Sequence, residues 1–218
     1  MAISSNAARP IRRRRADGER THTAILEVAT RVASVEGLHG LTIGRLAEEL
    51  GVSKSGLYAH FGSKEQLQLE TIDAALSIFE AEVVAPVLQA PEGLVQLESY
   101  FEAYFSYLER GVFPGGCFFA ALLAEMDARS GPVHDKVVSI EQTWREELWQ
   151  LGREAQRTGE IRADIDVKQL AFELYACLEL ANYHFVLFRE PEVLERGRRA
   201  VAGIMERARG ESRRTSRA

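Results

Sequence analysis

Residues 40–67, GLTIGRLAEELGVSKSGLYAHFGSKEQL, decide how this chain is read. Ile43, Leu46, Ala47 and Leu50 recur at i, i+3, i+4 and i+7, which places them on one face of a helix. Thr42 stands where a hydroxyl caps the orphan N–H groups of that helix. Gly51 stands where the chain must turn, because glycine takes a left-handed C′ conformation without a Cβ penalty. Ser53 caps a second helix with Leu57 and Phe61 inward. Ser63 caps a third, starting Lys64-Glu65-Gln66, with Gln66 at the capping-box position. Two short helices about a glycine turn form the helix-turn-helix pattern, whose second helix enters a DNA major groove.

Charge agrees once it is divided. The 218 residues carry a net charge of -5, which is unexpected for a DNA-binding chain. Residues 1–64, however, hold ten Lys/Arg against six Asp/Glu, a net of +4, and residues 65–218 a net of -9. The positive charge is concentrated where the DNA contact is proposed. Cys117 and Cys177 are too far apart for a metal knuckle and imply a reducing compartment rather than a disulfide framework. No apolar run reaches the length of a membrane span, and the basic N-terminus lacks the apolar core of a secretory signal. The expectation is a soluble, cytoplasmic chain with no membrane partner.

The run from Leu41-Thr42 to Leu67, ending Gly-Leu-Tyr-Ala-His-Phe-Gly-Ser-Lys-Glu-Gln-Leu, closely resembles the DNA-binding domain of TetR/AcrR-family transcriptional regulators. The likeness covers roughly the first third of the chain. It implies an all-α dimer with an N-terminal three-helix DNA-binding domain and a larger helical domain for ligand binding and dimerisation. It also implies repression that a small ligand relieves. Residues 115–126, GGCFFAALLAEM, resemble a sequence seen near the middle of many ligand domains of that family.

The chain then divides into a flexible basic arm (1–18), a helix-turn-helix domain (19–66), a ligand-binding and dimerisation domain (67–210) and a flexible tail (211–218). The arm holds Arg12-Arg13-Arg14-Arg15 and is either a phosphate-neutralising extension or merely a solvated terminus. Helix 1, from about Glu19 to Glu36, packs Ile25, Val28, Ala29, Val32 and Ala33 inward and stops at Gly37.

Lys54, Ser55, Gly56 and Tyr58 occupy the start of the recognition helix, whose first residues face base edges. Lys54 suits guanine O6/N7, Ser55 a base or phosphate, and Tyr58 a phosphate; Gly56 permits close approach. Thr42, His60 and Lys64 match family positions that hold the phosphate backbone, and exposed Arg45 is a weaker candidate. The bland alternatives are Tyr58 packed on helix 1, His60 as an ordinary surface residue and Lys64 as no more than a first-turn helix residue. Lys64 places a cation against the helix dipole, which favours an external anion such as phosphate.

Beyond Lys64 the helical pattern continues to about Val84-Ala85, where Pro86 is expected to end it. Pro91 opens the next helix, residues 111–116 form a loop, and a long amphipathic helix follows Gly131-Pro132 to about Thr158. Asp166 caps an apolar helix and Pro191 opens the last one. Paired across a twofold axis, these two helices would build a four-helix dimer interface, as in the resembled family. Phe101, Tyr104, Phe105, Phe118, Phe119, Leu122, Trp144, Tyr175, Tyr183 and His184 are candidates for a ligand pocket, against the alternative of plain core.

No phosphate loop, HExxH or metal-ligand spacing appears, so neither metal nor cofactor is expected, and no catalytic residue. The expected partners are a double-stranded operator with inverted-repeat character, a small-molecule effector and a second copy of the chain. Two rival readings are a thiol- or oxidant-responsive regulator acting through Cys117, and a helical-bundle enzyme or binding protein without DNA function. Gly115-Gly116 before a helix is either an anion seat or a plain turn.

Overall fold

The computed structural model describes residues 9–210, with side chains from residue 18 onward; residues 1–8 and the expected tail 211–218 lie outside the described residues. The chain is all-helical apart from an isolated backbone bridge, Ile161 to Arg209, among the described residues. Helix α1 spans Arg9–Gly40, so it begins ten residues before Glu19, inside the expected arm. Arginine and alanine are good helix formers, and Pro10 sits in the first turn where its missing N–H costs nothing. The helix breaks at Gly37 (φ 76°, ψ 161°), as the sequence requires.

Three short elements follow α1. Helix α2 is Ile43–Leu50, α3 is Lys54–Phe61 and α4 is Lys64–Phe79. Leu46, Ala47, Leu57 and Phe61 are buried with Ile25, Ala29, Val32 and Ala33 of α1. Each of the large side chains contributes about 1.5–3 kcal/mol by leaving water.

The helical rod does not stop at Pro86. A π-helical turn, Glu80–Val84, joins α4 to α5, Ala85–Leu88. In that wider turn the Ala85 N–H reaches the Glu80 carbonyl, five residues back. Pro86 then falls in the first turn of α5, where proline is tolerated. Helix α6 spans Leu94–Glu109 and begins three residues after Pro91, with Gly93 as its cap and the Glu160 carboxylate accepting the Leu94 N–H at 3.1 Å.

Helices α7 (Phe118–Met126), α8 (Pro132–Arg157), α9 (Val167–Phe188) and α10 (Glu192–Ala208) complete the bundle. Asp166 caps α9 through the Lys168 and Gln169 N–H groups. At Gly197 a Cβ would lie 2.7 Å from Phe105 and 3.1 Å from Ala181, so the glycine lets α10 close on α6 and α9. Arg198 fastens α10 to α6 through Glu102 and Glu109. Helix α9 also has a second apolar stripe: Phe172, Ala176, Leu180, Tyr183 and Leu187 are exposed and share one side at helical spacing.

Candidate functional site

Caps set the helix-turn-helix. The Thr42 hydroxyl accepts the Arg45 N–H at 3.1 Å, Ser53 accepts that of Gly56 at 3.1 Å, and Ser63 accepts that of Gln66 at 3.0 Å. Gly51 adopts φ 64° and carries the chain from α2 to α3. The capping box at Ser63 is only half made, because the Gln66 amide turns to Glu70 at 2.7 Å. With Leu57 and Phe61 buried, the rotation of α3 about its axis is fixed, and Lys54, Ser55, Gly56, Tyr58 and His60 are exposed. Tyr58 is 58% exposed, which rules out the packed alternative. The Lys54 ammonium leans toward α2, 3.3 Å from where a Cβ on Gly44 would stand, with the Thr42 hydroxyl 3.8 Å from the same point. The His60 ring lies 5.7 Å from that of His22, which is bonded in turn to Glu70.

Two of the expected cations are already engaged. Arg45 makes ion pairs with Glu36 (2.7 Å) and Glu49 (2.8 Å), and hydrogen bonds to both carboxylates hold its guanidinium still more firmly protonated. The Lys64 ammonium donates to the His39 carbonyl at 2.7 Å. Its place against the α4 dipole therefore has an internal explanation and does not require an external anion.

The loop before α7 is closed as an anion seat. A Cβ on Gly115 would stand 1.7 Å from the Ser34 carbonyl oxygen, so this glycine serves the approach of the loop to α1. The Cys117 N–H donates to Asn182 Oδ1 at 2.8 Å. Cys117 is 3% exposed, and burial pushes its thiol up, opposite to what a reactive thiolate needs. At the other end of α7, Glu125 accepts the Leu38 and His39 N–H groups at 2.7 and 2.5 Å. The Gln68 amide donates to the Leu38 carbonyl at 2.7 Å.

A cavity of about 580 Å³ opens between α6, α8 and α9, within the range of small-molecule sites. Trp144 and Tyr175, both expected, line it; Tyr100, Glu141, Arg145, Trp149 and Lys168 line it without having been singled out. The other expected pocket residues lie elsewhere. Tyr104, Phe118, Phe119 and Leu122 are core, with Phe119 4.7 Å from Trp144 and 5.8 Å from Phe79. Phe101 and Phe105 face α10. The Tyr183 hydroxyl donates to the Ala120 carbonyl, and His184 packs on Phe188. Aromatic residues at helical spacing had no feature separating core from cavity. Glu141 carried the missing signal, as a charge on the inner side of an amphipathic helix.

Inside the wall, the Tyr175 hydroxyl donates to Glu141 at 3.2 Å and also neighbours Glu179. Burial raises the affinity of both carboxylates for protons, with Glu179 pushed up to about 7. Among the described residues no His, Cys, Asp and Glu cluster fits a metal, and no helix is long and apolar enough to cross a membrane.

Comparison with known proteins places these features in a family. The model for the tetracyclin repressor-like C-terminal domain matches residues 93–201, and that for bacterial regulatory proteins of the tetR family matches residues 25–71. The HTH-type transcriptional repressor DhaR of Mycobacterium sp. (strain GP1) is 25% identical over 172 residues, spanning 78% of this chain and 85% of the relative. A TetR transcriptional regulator from Chloroflexus aurantiacus J-10-FL superposes with a TM-score of 0.82 at 25% identity, covering 89% of this chain and 98% of that one. AibR, solved with isovaleryl coenzyme A and operator DNA, shares the fold at 21% identity and a TM-score of 0.68, over 84% and 96% of the two chains. Capped helix-turn-helix, helical bundle and matched sequence agree: the chain belongs to the TetR family of transcriptional regulators.

Proposed function

We propose that this chain is a homodimeric repressor that leaves an inverted-repeat operator when a small molecule enters the cavity between α6, α8 and α9. The observation that carries the reading is the solvent-facing set Lys54, Ser55, Gly56 and Tyr58, presented on a helix whose rotation is locked by Leu57 and Phe61. Thr42 and His60 add phosphate contacts beside it, while Arg45 and Lys64 contribute only if they exchange their internal partners. In this reading residues 19–66 bind DNA, and residues 67–210 bind effector and pair with a second copy through the exposed stripe of α9. The protein acts in the cytoplasm and is not an enzyme.

Effector and operator are linked thermodynamically. A ligand that favours one spacing of the two heads weakens DNA binding by its differential affinity for the two states, and no more. Phe79, at the end of α4 just before the π-helical turn, packs on the cavity residue Trp144 with ring centroids 4.6 Å apart, so a change at the cavity wall has a short path to the rod that holds α3.

The test is selection of bound fragments from the source genome at low salt, followed by footprinting. A protected inverted repeat supports the reading. Failure to retain any fragment, with the protein folded, contradicts it.

A further inference from the structure

Glu141 and Arg145 stand four residues apart on α8, the spacing and order that favour an ion pair on a helix. They do not form one. Arg145 lies over the Trp149 ring at 5.2 Å, and Lys168 covers the same ring at 4.7 Å. Glu141 instead turns into the cavity, where its hydrogen-bond partner is the Tyr175 hydroxyl. Arg145 is near enough to offset part of its charge, but burial is the larger effect.

A tyrosine hydroxyl has one proton to donate. Tyr175 lies between Glu141 and Glu179, so it can satisfy one of the two carboxylates at a time. Around Glu141 the cavity is lined by the rings of Tyr100, Trp144 and Tyr175. Ring faces attract cations, most strongly where water is excluded, and a carboxylate without an ionic partner adds to that attraction.

From this arrangement we infer that the cavity takes a hydrophobic organic cation, an amine or quaternary centre on an apolar body, with the charged centre beside Glu141 and the rings of Tyr100, Trp144 and Tyr175. The inference rests on the effector reading above and adds the chemical class of the effector. The two exposed cations at Trp149 mark the opposite possibility, an anionic ligand, which the test separates.

The chain has two tryptophans, Trp144 and Trp149, and both line this cavity, so intrinsic emission reports on it directly. The probes are tetraphenylphosphonium and tetraphenylborate, which share shape and apolar surface but differ in sign. With the intact protein, tetraphenylphosphonium should quench the emission with at least tenfold higher affinity than tetraphenylborate. Glu141→Gln, which keeps an acceptor for Tyr175, should lower tetraphenylphosphonium affinity about tenfold, with circular dichroism showing the variant folded. Equal or tighter binding of tetraphenylborate, no quenching by either ion, or an unchanged affinity in Glu141→Gln would overturn the inference. Preferential binding of tetraphenylborate would leave the effector cavity standing, whereas loss of the whole reading is seen separately, in the failure to retain operator DNA.

Discussion

The carboxylate of Glu125 accepts the backbone N–H of Leu38 at 2.7 Å, across a sequence separation of 87 residues. Its second oxygen takes the His39 N–H, so one side chain of α7 caps the turn that follows the break at Gly37. That turn also receives Gln68 and Lys64 from α4. The DNA-binding head is thereby fastened to the rest of the chain through backbone groups that cannot be exchanged for other residue types.

Removing this clamp should cost stability. Glu125→Ala leaves the partly buried Leu38 N–H without a partner and gives the exposed His39 N–H to water, a loss of about 2 kcal/mol that corresponds to a fall in Tm of about 4–8 °C. Glu125→Gln, with a single acceptor oxygen, should fall between Glu125→Ala and the parent. Thermal melts of the three proteins check the order.

Gly56→Ala should separate folding from function. A Cβ there would meet only Ser53 Oγ, at 3.2 Å, and alanine favours a helix over glycine by about 1 kcal/mol. The melting temperature should therefore hold or rise. On the exposed face the added methyl would obstruct close approach to DNA, and operator affinity should fall at least tenfold in a titration of labelled duplex.

Glu179 should make stability depend on pH. Its folded value of about 7 is above the ordinary 4.5, set mainly by burial and by Glu141 from α8, against the neighbouring hydroxyls of Tyr175 and Tyr183. Tyr100 and Tyr104 of α6 and Cys117 before α7 also border this site and feel its charge. Because the folded state holds the proton more tightly, the stabilisation is complete below about pH 4.5 and is lost as pH rises through 7. Denaturant melts should show Glu179→Gln gaining on the parent by on the order of 2 kcal/mol between pH 5 and pH 8. A constant difference across that range would contradict the assignment.

Cys117 should be inert in the native state. With the thiol buried and its proton held more tightly than usual, brief alkylation at pH 7.5 followed by peptide mass analysis should label Cys117 only after denaturation.

The DNA-binding head was legible because its determinants are local. Thr42, Ser53, Ser63 and Gly51 act on backbone groups within a few residues, so spacing alone places them. Contacts that join distant helices were not legible. The partner of Lys64 is a carbonyl 25 residues away, and nothing in the sequence around Lys64 points to it. Pro86 misled for a related reason, since a π-helical turn absorbs what an α-helix would not. In the larger domain, Phe119 and Trp144 share aromatic character and differ only in whether a ring edge reaches the cavity. Hydrophobic patterning records burial, and a ligand cavity is lined by residues that look buried to it.

The most direct test of the central claim is the Kd of the full-length protein and of Tyr58→Ala for the footprinted operator duplex, measured at several salt concentrations. Tyr58 is 58% exposed, so its removal should leave the melting temperature unchanged. Loss of its phosphate contact should weaken binding about tenfold, roughly 1.4 kcal/mol. An unaltered Kd in a folded variant would mean that the exposed face of α3 does not meet DNA, and the account given for this helix-turn-helix would be wrong.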